Sequence, residues 1–144
     1  MSKYFFSLII TICLFGKLLA QEVPMDAKDQ AKAVLNDYEL TDKQYAAWKL
    51  IKNNWIVSDY EAVELENNVK LNCKSCESFY IDVIIKINAN GKLEYYKFID
   101  GKNCHISITK QVELRFMRIF FKFEYPSELR NVTFKTRLGD SLKC

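Results

Sequence analysis

The sequence predicts an α+β fold: a three-stranded antiparallel sheet packed against two helices. Three observations carry that prediction. Residues 79–87 and 132–138 alternate apolar and polar side chains, the two-residue period of a half-buried strand. Residues 45–55 and 108–123 repeat apolar side chains every three or four positions, the period of a helix lying on a core. Asn90-Gly91 stands between two strand-like runs, and both residues accept the positive φ of a tight hairpin at little cost.

The chain opens MSKYFFSLIITICLFGKLLA, with Lys3 ahead of an apolar run from Tyr4 to Gly16 and Ala20 ahead of Gln21. That is the layout of a secretory signal over residues 1–20. The run is shorter than the roughly 20 apolar residues a membrane-spanning helix needs. Cleavage is therefore expected rather than retention as an anchor, with no stable membrane insertion afterwards. Cys13 follows Ile12 rather than a small residue, which argues against a lipoprotein. What remains is long enough for one domain with its own core, expected over residues 41–144. Lys3 and Lys17 leave with the signal, so the basic and acidic residues left nearly balance. Such a chain has no field to draw nucleic acid or an anionic membrane.

Residues 21–40 form an N-terminal extension, in which Ala27, Ala31, Leu35 and Tyr38 fall at the spacing of a short helix. At Thr41 the sequence TDKQ sets Thr and Gln three apart, a capping box that starts a helix. Tyr45, Trp48, Ile51 and Trp55 then make one apolar stripe about three turns long. Residues 57–77 lose the period, carry acids and asparagines, and read as a connector. In SFYIDVIIKIN, Phe79, Ile81, Val83, Ile85 and Ile87 share one face. Tyr80, Asp82, Lys86 and Asn88 share the other, interrupted by Ile84. KLEYYKFI after Ala89-Asn90-Gly91 is the second strand. Ile108, Val112, Phe116, Ile119, Phe120 and Phe123 predict the second helix, capped by Ser107 or Thr109 and ended by Pro126. RNVTFKTRL closes the domain as a strand, with Val132, Phe134, Thr136 and Leu138 opposite Thr133, Lys135 and Arg137.

Motifs with chemistry are few. INANGK looks at first like a calcium loop. With Gly91 as its sixth residue, the first and twelfth are Lys86 and Lys97, where a calcium loop needs carboxylates. No metal site and no cofactor are expected. Four cysteines lie beyond the signal: Cys73, Cys76, Cys104 and Cys144. In an exported chain they read as structural disulfides, and three pairings are open to them. CKSC precedes a strand rather than a helix N-terminus, so its thiols lack the usual source of a lowered pKa. The one histidine, His105, adjoins Cys104, but neighbours on an extended chain point apart. The carboxylate pairs Asp59/Glu61 and Glu64/Glu66 sit in the polar connector. No catalytic constellation stands out, and an enzyme is not expected.

The pieces IDVIIKINANGKLEYYKFI, LRFMRIFFKFEYPSELR and NVTFKTRL, in that order, resemble the C-terminal domain of the TonB/TolA energy-transducer superfamily. The resemblance spans roughly residues 41–139 and rests mainly on element order. It places the Trp48/Trp55 helix as the first helix of such a domain. It implies that Cys76 and Cys104 bracket the hairpin as a disulfide does in TolA-like domains. It also implies that the closing strand, Val132, Thr133, Phe134, Lys135, Thr136, Arg137 and Leu138, is a sheet edge receiving an extended segment of a partner. Lys135 and Arg137 beside that edge either favour acidic peptides or guard it against aggregation. No Pro-rich spacer accompanies the domain, so recognition rather than energy transduction is the role carried over. The expected protein is periplasmic or secreted and non-catalytic, with a protein or peptide partner that is itself an outer-membrane or periplasmic protein, and with a link to outer-membrane transport. A disulfide-stapled inhibitor or immunity-type protein, blocking an exported enzyme with a loop at Ser58–Ser75, is the alternative. A thiol oxidoreductase using Cys73 and Cys76 is a third.

Overall fold

The structure, a computed structural model, describes residues 34–144. The expected signal over residues 1–20 and all of the extension before Val34 lie outside the described residues. The fold is α+β, with an antiparallel sheet of four strands in the order β3-β2-β1-β4. They are β1 (Ser78–Ile87), β2 (Leu93–Asn103), β3 (Ile106–Ser107) and β4 (Thr133–Ser141). The expected sheet of three strands therefore gains β3, which pairs with Lys102 and Asn103 at the far end of β2. Two residues hold no alternation to read. What creates β3 is a reversal at Cys104, whose φ of 56° is left-handed backbone that non-glycine residues seldom adopt.

The first helix starts as its capping box predicts. The Thr41 hydroxyl accepts from the Gln44 N–H, and the Gln44 side chain accepts from the Thr41 N–H at 3.1 Å. Helix α1 (Asp42–Trp55) does not stop where the apolar period fails. It passes through a π-helical turn, Ile56–Tyr60, into α2 (Glu61–Glu66), giving one helical rod of 25 residues. The expected connector over 57–77 is thus helical for its first half. The reason lies in the spacing of the buried residues. Trp48 and Trp55 are seven apart, two turns of α-helix, but Tyr60 follows Trp55 by five. A widened i→i+5 turn absorbs the extra residue and keeps Trp55, Tyr60 and Val63 on the core side. Tyr45, expected in the stripe, is 39% exposed.

The second predicted helix is shorter than its apolar period. Helix α3 (Lys110–Met117) is capped by Thr109, whose hydroxyl accepts from the Val112 N–H. Beyond it the chain breaks into turns, closed by Phe120 N–H to the Met117 carbonyl and Lys122 N–H to the Ile119 carbonyl. Phe120 and Phe123 still reach the core, because turns of nearly helical pitch keep the spacing.

Both helical elements cover one face of the sheet. Phe79, Ile81, Val83, Ile85 and Ile87 of β1 and Phe134 and Leu138 of β4 are fully buried there with Trp48, Trp55, Phe116 and Phe120. The other face carries Tyr80, Asp82, Ile84 and Lys86. Ile84, which broke the polar alternation, is 2% exposed and lies between Lys97 on β2 and Lys135 on β4. Arg137 closes this face over Asp82 and Tyr80. Its guanidinium makes a bidentate pair with the Asp82 carboxylate at 2.8 and 2.7 Å and stacks 3.7 Å from the Tyr80 ring centroid.

The Tyr60 hydroxyl ties the helical rod to the sheet. Tyr60 Oη donates to the Phe79 carbonyl at 2.7 Å and accepts from the Asp140 N–H at 3.2 Å. It therefore sits in the seam between β1 and β4. Burial pushes its pKa far above the ordinary tyrosine value. Next to it Gly139 has φ 99°, and a Cβ there would stand 2.3 Å from the Phe79 carbonyl oxygen, so only glycine fits.

Candidate functional site

The strand expected to receive a partner, Val132–Leu138, is found as β4, beginning one residue later and ending three residues further on. It lies at the outer margin of the sheet, paired on one side with β1. In an antiparallel pair a residue's N–H and C=O point to the same side. The Val132 carbonyl accepts from the Ile87 N–H, so Val132 faces β1. Lys135 faces outward, because its N–H donates to the Leu35 carbonyl at 2.8 Å. Among the seven expected edge residues, Phe134, Thr136 and Leu138 turn their side chains into the core. Thr133, Lys135 and Arg137 turn theirs toward the open face.

The outer side of β4 is not bare. Val34–Leu40 runs beside it, forming a parallel bridge between Asn36 and Lys135 and then a 3-10 turn, Asp37–Glu39. The described end of the extension is thus a strand-like arm rather than the α-helix its spacing suggested. Leu35 and Tyr38 are 53% and 70% exposed, and Leu40, 8% exposed, anchors the end of the stretch in the core. Polar contacts hold the part beside β4. Asp37 Oδ2 accepts from Thr136 Oγ1 at 2.5 Å and from Trp48 Nε1 at 3.3 Å, with Lys52 Nζ at 3.6 Å. Trp48 Nε1 also donates to Thr136 Oγ1 at 3.2 Å. Two buried donors from different elements, with a lysine behind them, converge on one carboxylate.

The arm's own turn is fixed locally. Asn36 N–H donates to Glu39 Oε2 at 2.6 Å, and those bonds draw the Glu39 carboxyl below its usual range. Sequence reasoning missed Leu35, Asn36, Asp37 and Lys52, and assigned Trp48 to packing alone. No local pattern signals them, since Asp37 and Thr136 are 99 residues apart.

The cysteines form two disulfides, Cys73–Cys144 and Cys76–Cys104. The cysteines of CKSC therefore bond to different partners and make no dithiol pair with each other. Cys76–Cys104 ties the start of β1 to the left-handed turn after β2, and His105 lies exposed beside it. Cys73–Cys144 fastens the last residue to the loop before β1. In the INANGK stretch the Asn88 side chain accepts from the N–H groups of Asn90 and Lys92 at 2.9 and 3.0 Å, the bonds of a turn. Gly91, at φ 70°, is pinned by its carbonyl to the Tyr125 N–H. Of the inhibitory loop expected at Ser58–Ser75, the part up to Glu66 is helix, leaving only Asn67–Ser75 as loop. In that helix Glu64 has its carboxyl raised above the usual range by burial, then by Asp140 and Glu61.

No protein-family model matches this chain, and no curated protein or solved structure matches it.

Proposed function

We propose that this chain is an exported, non-catalytic binding protein that captures an extended segment of a protein partner along the outer side of β4. The observation that carries this reading is the Lys135 N–H. It points away from the sheet and is already taken by an extended segment, so this edge is geometrically competent for strand addition. The two disulfides are compatible with an oxidising compartment such as the periplasm. The order hairpin, helix, closing strand, on which the TonB/TolA C-terminal resemblance mainly rests, recurs in the fold. In that reading the sheet has a three-stranded core of β2, β1 and β4 and two helices against it. The partner is an outer-membrane or periplasmic protein.

The backbone directions choose the test. The bond at Val132 is an inward one accepted by its carbonyl, which proline would keep, whereas proline at Lys135 removes an outward donor and leaves the β1–β4 ladder intact. A photoreactive phenylalanine at Arg137 in cells should give a discrete protein adduct, and Lys135→Pro in the same chain should abolish it. An adduct formed equally well with Lys135→Pro refutes edge addition.

A further inference from the structure

We propose that Leu35–Asp37 is an intramolecular plug in the β4 site, and that the partner enters as a parallel extended segment bearing a carboxylate. This rests on the edge-addition reading and names the chemistry and control of that same edge. The arm contributes what an incoming strand would contribute. The Leu35 carbonyl takes the outward Lys135 N–H, and the chain runs parallel to β4 at Asn36. Asp37 then fills a receptor that the fold has built. Thr136 and Trp48 are 5% and 1% exposed, and both turn hydrogen-bond donors toward the same carboxylate oxygen, with Lys52 3.6 Å away. Without the arm Trp48 Nε1 keeps its bond to Thr136 Oγ1, but the buried Thr136 hydroxyl loses its acceptor, so a segment that displaces the arm is favoured when it brings one.

The arm is also built to leave. Among the described residues its bridge to β4 is a single rung at Asn36–Lys135, after which the chain turns away through Asp37–Glu39. Leu35 and Tyr38 stay largely in solvent, so departure uncovers little apolar surface. The Asn36–Glu39 capping box holds the arm's turn without help from β4. A partner strand running along β4 makes several rungs where the described part of the arm makes one. Against a segment of its own length, however, the tethered arm wins through an effective concentration on the order of millimolar.

The probe is the chain's own segment as a synthetic peptide, Val34–Glu39 (VLNDYE), titrated into the full disulfide-bonded chain and followed by NMR at the Lys135 amide and the Trp48 indole. Asp37→Ala is expected to bind it about tenfold more tightly than the natural chain. The peptide with asparagine at the Asp37 position is expected to bind Asp37→Ala about tenfold more weakly than the acidic one. Asp37→Asn repeats the comparison with almost no change of volume, and dispersed amide resonances in the same spectra show that each variant is folded. Equal binding by natural and variant chains overturns the plug and leaves edge addition standing. Equal affinity for the two peptides overturns the carboxylate requirement. If neither chain binds while Lys135 amide exchange accelerates in Asp37→Ala, the arm leaves but the edge takes no strand, and edge addition fails with the plug. If neither binds and that exchange is unchanged, Asp37 does not hold the arm, and the plug fails by itself.

Discussion

Removing one hydroxyl, by Tyr60→Phe, tests how the helical rod is held to the sheet. The Tyr60 ring packs against Trp55, Phe79 and Phe116 at centroid distances of 5.3, 6.1 and 6.0 Å, and phenylalanine preserves all three contacts. What is lost is the bond to the Phe79 carbonyl at 2.7 Å and the one from the Asp140 N–H at 3.2 Å. Each is worth about 1 kcal/mol net, and leaving two backbone groups unpaired in the seam adds a comparable amount, so the expected loss is about 3 kcal/mol. For a domain of this size that lowers Tm by about 12 °C. Urea unfolding under non-reducing conditions, followed by circular dichroism, measures it. Tyr125→Phe is the control. Its hydroxyl makes one bond, to the Phe120 carbonyl at 3.2 Å, and its loss is expected to cost about 1 kcal/mol. A Tyr60→Phe loss no larger than that of Tyr125→Phe refutes the clamp.

Other perturbations separate the remaining contributions. The disulfides close separations of 71 and 28 residues, so loop entropy assigns Cys73–Cys144 about 4 kcal/mol and Cys76–Cys104 about 3.5 kcal/mol. Paired alanine variants compared by urea unfolding check both values. Loss of Cys76–Cys104 should also speed amide exchange at Ser107, because that bond holds the turn leading into β3. Gly139→Ala forces a Cβ to within 2.3 Å of the Phe79 carbonyl oxygen at a φ of 99°, and should cost about 3 kcal/mol or more in the same assay. The raised carboxyl of Glu64 sets a pH dependence. A folded pKa above the unfolded one makes ionised Glu64 unfavourable at neutral pH, and the penalty vanishes as pH falls below the unfolded value. Glu64→Gln should therefore be the more stable chain at pH 7, with its advantage shrinking on acidification toward pH 4. An advantage that does not depend on pH contradicts this.

Features that depend on neighbouring residues were legible in the sequence. The Thr41–Gln44 box, the Asn90-Gly91 turn, the alternation of β1 and β4 and the Thr109 cap each follow from side chains a few positions apart. The same locality explains the misses. The apolar period ended at Trp55 because the π turn spaces Trp55 and Tyr60 by five residues, and only burial of both against Phe116 makes that spacing favourable. Strand β3 exists because Cys104 is held in a left-handed turn by a bond to Cys76, a pairing that cysteine spacing left open and only the family resemblance implied. The outer side of β4 gave no hint of being occupied. Its described occupant includes Leu35 and Asn36, and the carboxylate receptor joins Asp37, Trp48, Lys52 and Thr136, residues that local periodicity never compares. The sequence by itself determined the type and order of most elements, through backbone propensity and the side on which apolar groups fall. Tertiary structure decided the cysteine pairing, the continuous rod and the plugged edge, because each is stabilised by contacts between segments that meet only when the core has closed.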